Sequence, residues 1–146
     1  MHKLVALVTL SLLSSSVLAA EHVVEMKNNG ADGIMVFEPA FLSVDVGDTV
    51  RFVATDPGHN SQSVQGLVPA GTSGWNGAIN EEFSVTLSDE GVYVYQCAPH
   101  VALAMVGVIV AGDPVNIDDI RANSDALKGR LMMNQDRLSK YLDKVK

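Results

Sequence analysis

The sequence predicts an all-β sandwich or barrel over residues 21–112, followed by helices in residues 113–146. Short alternating apolar segments fill the first range and are interrupted by Gly, Pro and Asn, which is typical of all-β domains. No helical period of any length appears there. From Val115 onward, apolar residues recur at three-, four- or seven-residue intervals, the spacing of one helix face.

Each predicted strand alternates apolar and polar residues or is continuously apolar, and a turn signal ends most of them. In chain order, seven strands are predicted: Val23–Met26, Ile34–Phe37, Phe41–Val46, Thr49–Thr55, Phe83–Leu87, Val92–Cys97 and Val106–Ala111. Residues 60–80 contain four glycines and one proline without a period, which predicts a long loop with at most one helical turn.

The remaining residues predict two helices packed against the sandwich. Their shared apolar positions are Ile117, Ile120, Leu127, Leu131, Leu138, Leu142 and Val145. Ser124 or Asp125 is the candidate start of the second helix, because both residue types cap helix N-termini. Lys140, Lys144 and Lys146 suit a helix C-terminus, where the macrodipole favours positive charge.

Residues 1–20 have the pattern of a secretory signal peptide. A basic residue, Lys3, precedes the apolar stretch Leu4–Leu13, and small residues follow as far as Ala20. The stretch is shorter than the roughly 20 apolar residues that span a membrane. We therefore expect an exported protein that is not inserted in a membrane. Residues 21–146 are long enough for one domain with a real core.

The charge of the chain is uneven. Residues 21–112 carry two basic and eleven acidic side chains, whereas residues 113–146 carry seven basic and six acidic ones. Such acidity argues against nucleic-acid binding, which needs clustered Lys and Arg to neutralise phosphates. It favours basic partners or simply a well-dispersed protein.

One cysteine dominates the functional interpretation. Cys97 is the only cysteine of the chain and cannot form a disulfide within it. It lies in Cys97-Ala98-Pro99-His100, and Met105 and the upstream His59 add a thioether and a second imidazole. One thiolate, two imidazoles and a weak axial thioether are the ligands of a mononuclear blue-copper site, which predicts an electron carrier.

Several alternatives stay open from the residues alone. Zinc also binds Cys and His, but structural zinc sites use four strong ligands, and a thioether is a poor one. A nucleophilic enzyme would use Cys97 with His59 or His100 as base, yet no oxyanion-hole motif or orienting residue is apparent. A copper chaperone or buffer would use the same ligands. Met35 is the candidate replacement for Met105 as axial ligand.

Several segments of the sequence carry a resemblance to a known family. The chain resembles the pseudoazurins, which are periplasmic type 1 copper proteins, through Gly30–Ala40, Gly47–Val50, Gly58–Asn60, and Cys97–His100 with Met105. Plastocyanins share the ligand loop. The run Met35–Pro39 and the helical tail after Gly112 favour pseudoazurin.

The resemblance implies an eight-stranded Greek-key sandwich of the cupredoxin type. It implies one copper ion, cycling between Cu(II) and Cu(I), bound by His59, Cys97, His100 and Met105, with electrons leaving at His100. It further implies a periplasmic monomer, not an enzyme, that docks transiently near His100 with copper nitrite reductase or a c-type cytochrome. Pseudoazurins typically surround this exit with lysines, whereas residues 21–112 have only Lys27 and Arg51.

Overall fold

The computed structural model describes residues 18–146, so most of the predicted signal peptide lies outside the described residues. It contains two four-stranded sheets, with strand orders β2-β1-β4-β6 and β3-β8-β7-β5. The strands are β1 Glu21–Gly30, β2 Gly33–Glu38, β3 Phe41–Val44, β4 Thr49–Val53, β5 Gln62–Ser63, β6 Phe83–Thr86, β7 Gly91–Gln96 and β8 Val106–Ala111. The predicted all-β sandwich with C-terminal helices is confirmed.

All seven predicted strands are present, and their limits differ mainly at β1. β1 continues past the predicted end at Met26 through the turn-type residues Asn28-Asn29-Gly30, and the chain reverses at Ala31 and Asp32. β1 is long because its first half, residues 21–25, pairs parallel with β4, and its second half, residues 25–30, pairs antiparallel with β2. At residues 28–30, pairing with β2 offsets the weak strand preference of Asn and Gly.

The eighth strand, β5, lies in the segment predicted as a loop. It has only two residues and pairs antiparallel with the end of β7, at Gln96 and Tyr95. Neither Gln62 nor Ser63 gives an alternating apolar signal, so the pairing depends on the neighbouring strand rather than on local sequence.

β7 and β8 form the centre of the molecule. Every residue of both strands is buried, because the other sheet covers one face and the helical tail packs on the opposite side. Tyr95 packs edge-on against Phe37 and Phe52 of the facing sheet, at ring-centroid distances of 4.7 and 5.2 Å. Six residue pairs join β7 to β8, and the segment that connects the two strands, residues 97–105, begins directly at the end of β7.

The C-terminal region has three short helices where two were predicted. They are α1 Ile117–Asn123, α2 Asp125–Lys128 and α3 Arg137–Leu142, and a 3₁₀ helix, Ala98–Leu103, lies earlier in the chain. The second predicted helix is divided because the chain leaves helical geometry after Gly129, and Asn134 adopts a left-handed φ of 49°. Leu127, Leu131, Leu138 and Leu142 are buried in the common core, as the period predicted.

Of the helices in the described part of the chain, none combines the length and the hydropathy that a membrane span requires.

Candidate metal centre

Three of the four predicted ligands lie on the connection between β7 and β8. Cys97 directly follows β7, His100 lies in the 3₁₀ helix, and Met105 immediately precedes β8. Pro99 occupies the first turn of that helix, where its fixed φ suits the geometry and no backbone N–H is needed. His59 comes from the loop after β4, on the other sheet. The site therefore spans both sheets.

The donor atoms of three residues converge. The Cys97 Sγ lies 3.7 Å from the His59 Nδ1 and 3.5 Å from the His100 Nδ1. The two Nδ1 atoms are 3.1 Å apart. His59 and Cys97 are fully buried and His100 is half-buried, so one ring edge of the cluster approaches solvent. Within residues 18–146, His59, Cys97 and His100 form the one group of three or more His, Cys, Asp or Glu side chains whose donor atoms lie close enough together to hold a metal ion.

Asn28 orients the His59 ring. The His59 Nε2 lies 3.0 Å from the Asn28 Oδ1, a carbonyl oxygen that only accepts, so the Nε2–H group must donate. In the neutral ring, the Nδ1 then keeps its lone pair and directs it toward Cys97 and His100. Asn28 is itself held by Asp56, whose carboxylate accepts the Asn28 backbone N–H at 2.6 Å. Such partners commonly fix the tautomer of a metal-binding histidine.

The backbone around His59 is fixed from two directions. The Asn80 amide donates to the His59 carbonyl at 2.9 Å, and the Asn80 side chain accepts the Gly58 N–H at 2.5 Å. Asn60 joins the two ligand segments, because its Oδ1 accepts the Ala98 N–H at 2.8 Å. The buried His59 segment is therefore joined to the 97–105 segment by this hydrogen bond as well as by the contacts among the donor atoms of His59, Cys97 and His100.

Backbone hydrogen bonds place Met105 beside both other ligands of its segment. The Cys97 amide donates to the Met105 carbonyl at 2.9 Å, and the Met105 amide donates to the His100 carbonyl at 3.3 Å. Met105 is completely buried, and the preceding Ala104 adopts a left-handed φ of 59°. The segment thus closes on itself, with the start of β8 next to the end of β7.

The electrostatics of the donor cluster oppose charge on its members. Burial raises the pKa of the Cys97 thiol, while backbone N–H groups of Asn60 and His100 favour the thiolate and partly offset that effect. Burial also lowers the pKa of His59, with the neighbouring His100 adding to the effect and Asp56 opposing it. A reactive thiolate at neutral pH needs a depressed pKa, so this environment does not favour a nucleophilic Cys97.

The donor set fits a soft, monovalent or divalent transition-metal ion. A thiolate and two imidazole nitrogens with lone pairs directed at one another repel unless a cation or protons lie among them. Sulfur and imidazole donors suit copper, and the buried thioether of the neighbouring Met105 suits it better than it suits zinc. The residues present therefore fit the metal that the sequence predicted.

The structure brings His59, Cys97 and His100 together and places Met105 in the same closed segment. His22 lies outside this cluster, and its Nε2 contacts the Asp48 carboxylate at 2.7 Å. Sequence reasoning missed Asn28 as the residue that orients His59. An asparagine near a strand end resembles a turn signal, and nothing local indicates a partner 31 residues away.

Comparisons with known proteins agree on one family. The model of copper-binding proteins of the plastocyanin/azurin family matches residues 24–112. A putative pseudoazurin of Rhizobium leguminosarum bv. viciae is 43% identical over 81% of this chain and 78% of its own length. The pseudoazurin of Paracoccus pantotrophus is 38% identical over 80% of this chain and 81% of its own.

A solved structure gives the same result. The crystal structure of native pseudoazurin from Hyphomicrobium denitrificans superposes with a TM-score of 0.78 and 38% sequence identity, covering 86% of this chain and 98% of that one. The agreement includes the C-terminal region, because 86% of the chain reaches well beyond residues 24–112.

Proposed function

Because this chain belongs to the pseudoazurins, within the plastocyanin/azurin family of copper-binding proteins, we propose that His59, Cys97, His100 and Met105 hold the copper ion that carries its electron. The chain is a blue-copper electron-transfer protein and not an enzyme. When bound, copper supplies a one-electron couple between its Cu(II) and Cu(I) states.

The observation that carries the ligand assignment is the convergence of three donors on one point. The Cys97 Sγ and the two histidine Nδ1 atoms lie 3.1 to 3.7 Å from one another. They come from segments that are 38 residues apart in the chain, so the convergence is a product of the fold. Asn28 and the Asn60–Ala98 contact hold these donors in place.

The chain's own residues account for the requirements of electron transfer. Burial of Cys97 and Met105 excludes water from the thiolate and thioether, and the two rigid strands β7 and β8 resist rearrangement of the segment that joins them. Of the three converging side chains, only His100 is half-buried rather than buried, so it is the one that approaches solvent. Ala98, Pro99 and Ala102 are exposed beside it and present a small apolar surface.

Copper loading of purified protein tests the ligand assignment. We expect an intense visible thiolate-to-copper absorption in the wild type and its complete loss in Cys97→Ser. His22→Gln is the matched control, because His22 lies outside the donor cluster and its substitution should leave the band unchanged. A colourless copper-loaded wild type would contradict the assignment.

Metal exchange separates the carrier from a copper chaperone or buffer, which would bind through the same residues. A carrier keeps its metal while it is oxidised and reduced, so we expect slow copper loss to a chelator together with reversible one-electron cycling. Rapid loss of copper to the chelator in both oxidation states would favour the chaperone instead.

The partners and the cellular location extend this proposal. A redox protein such as copper nitrite reductase or a c-type cytochrome is the proposed partner, docking transiently at His100 of a monomer. Residues 1–20 are proposed as a signal peptide that directs residues 21–146, folded as one domain, to the periplasm. Mass determination of the exported protein tests this: a mature chain that begins near Ala20 or Glu21 is expected, and one that retains Met1 would contradict it.

A further inference from the structure

Arg137 is a buried arginine in α3 whose side chain points at backbone oxygens. Only 5% of it is exposed. Its Nη1 donates to the carbonyls of Met35 and Ala104, each at 3.0 Å, and its Nη2 donates to the Asp32 carbonyl at 2.8 Å. Longer contacts reach the carbonyls of Ile34, at 3.3 Å, and Leu103, at 3.5 Å.

The charge of this guanidinium is balanced in an unusual way. Among the salt bridges of residues 18–146, none involves Arg137. The positive charge of its guanidinium group is therefore stabilised by the dipoles of the carbonyl groups that accept its hydrogen bonds. A buried charge is costly unless it is hydrogen-bonded, and the planar five-donor guanidinium is the side chain best able to serve several acceptors at once. The arginine therefore joins α3, the β1–β2 turn and the end of the 97–105 segment.

One of the acceptors belongs to a peptide group of the metal centre. The Ala104 carbonyl and the Met105 amide are parts of the same planar peptide. Arg137 holds the oxygen of this peptide, and the His100 carbonyl accepts its N–H at 3.3 Å. Because Ala104 has a left-handed φ of 59°, this peptide has an orientation that an L-residue adopts only at some cost.

We propose that Arg137 is a positioning residue for the metal centre, which fixes the Ala104–Met105 peptide and thereby the approach of the Met105 side chain to the other ligands. This inference rests on the proposed function, since it takes Met105 as the axial ligand. It assigns the helical tail a role in the properties of the site and not only in the stability of the fold.

Two substitutions of Arg137 and two controls test the proposal. Arg137→Lys keeps the charge but cannot reach carbonyls on several sides, and Arg137→Met removes the donors while keeping the apolar stem. Arg121→Met is the first control, because Arg121 donates to the Leu142 carbonyl within the tail and not to the 97–105 segment. Tyr141→Phe is the second, because it loses the bond from α3 to the Asp32 carboxylate but leaves the Ala104 carbonyl held.

Two kinds of readout apply to the same four variants. In metal-free protein, we expect the Met105 amide to exchange its hydrogen faster in Arg137→Lys than in the wild type, with wild-type exchange in both controls. In copper-loaded protein, we expect altered visible and electron paramagnetic resonance spectra and a shifted reduction potential. Copper affinity should fall about tenfold, the lower end of the range for groups that orient metal ligands. If Arg137→Met fails to fold, Arg137→Lys carries the test.

The outcomes distinguish this inference from the function on which it rests. A colourless wild type overturns the proposed function and this inference together. An intensely coloured wild type, with unchanged spectra, potential and Met105 exchange in Arg137→Lys, overturns the inference alone. The inference would be overturned even if Arg137→Lys unfolded at a lower temperature, because a loss of stability alone would make Arg137 only a structural anchor.

Discussion

Two methionines are candidates for the weak ligand, and their surroundings differ. Met105 is completely buried, and its backbone is bonded to Cys97 and His100. Met35 is partly buried, has a left-handed φ of 50°, and its carbonyl is held by Arg137. Met35 therefore lies near the end of the ligand segment, but only Met105 is tied directly to two other ligands.

Substitution by leucine discriminates between these methionines. Met105→Leu nearly conserves volume, so the fold should survive. The oxidised state loses a donor, and the reduction potential should rise on the order of 60 mV, equivalent to about a tenfold change in a one-electron equilibrium. Voltammetry measures it. Met35→Leu is the matched control with a near wild-type potential, and a rise in this variant alone would make Met35 the axial ligand.

Asn28 gives a second prediction at the level of a single residue. Asn28→Ala leaves the His59 Nε2–H group without its acceptor, so the ring loses its fixed tautomer and orientation. Copper affinity should fall about 10- to 100-fold, the range known for such partners, in competition titration against a chelator. Asn29→Ala is the control, because Asn29 is the exposed neighbour in the same strand. Equal affinities in the two variants would show that Asn28 does not orient His59.

Among the elements, β7 carries an unsatisfied polar group. The Tyr95 hydroxyl is buried and has no hydrogen-bond partner among the described residues. It lies against Gly107 of β8, where a Cβ atom would come within 2.4 Å of the Tyr95 hydroxyl oxygen. Tyr93, two residues earlier, is also buried, but its hydroxyl donates to the Asp89 carbonyl at 2.7 Å. The two tyrosines form a natural matched pair.

Removing the Tyr95 hydroxyl and removing the Tyr93 hydroxyl should have opposite effects on the stability of the protein. Tyr95→Phe should increase the free energy of unfolding by about 1 kcal/mol, because a buried polar group without a partner is costly, and Tyr93→Phe should decrease it by about 1 kcal/mol. Urea denaturation at neutral pH measures both. Destabilisation by Tyr95→Phe would reveal a partner for the hydroxyl.

Tyr95 also predicts a pH dependence. Burial raises the pKa of Tyr95 well above its value of about 10 in the unfolded chain. A raised folded pKa means that the unfolded chain loses its proton first, so stability is fully present below about pH 10 and falls as the pH rises beyond it. Tyr95→Phe should reduce this alkaline loss. An unchanged slope of unfolding free energy against pH would contradict the prediction.

The helical tail shows why an element can be predicted while its divisions are not. The periodic leucines correctly identify the buried face, because apolar residues at helical spacing lie on one side of a helix, and that side packs on the core. The break between α2 and α3 depends instead on where residues 129–136 contact the rest of the molecule. The Met132 and Met133 amides both donate to the Ala102 carbonyl, which holds this stretch on the 3₁₀ helix in place of helical hydrogen bonds.

The charge of the whole molecule bears on the choice of partner. Both basic side chains of residues 21–112 are engaged in ion pairs, Lys27 with Glu25 and Glu38, and Arg51 with Glu21 and Glu82. Their positive charge is therefore largely neutralised locally, and the excess of acidic groups determines the long-range field of this region.

Salt dependence tests the effect of this field. If the acidic surface selects a basic partner, the association rate with a basic c-type cytochrome should fall steeply as salt rises, because ions screen long-range attraction. Stopped-flow reduction measures the rate. An acidic cytochrome is the control, and its rate should rise or remain low. A flat dependence with the basic cytochrome would contradict electrostatic selection.

The sequence by itself determined the sandwich, seven of its eight strands, the buried helix face and the copper chemistry, because strand and helix periods and ligand types are local properties. The assignment of His59, Cys97, His100 and Met105 as ligands stays a prediction that the convergence of three donors supports. Only the tertiary structure decided that Asn28 faces His59, that β5 pairs with β7, and that Arg137 reaches Met35, 102 residues away. Those contacts depend on how distant segments pack, and no local pattern encodes them.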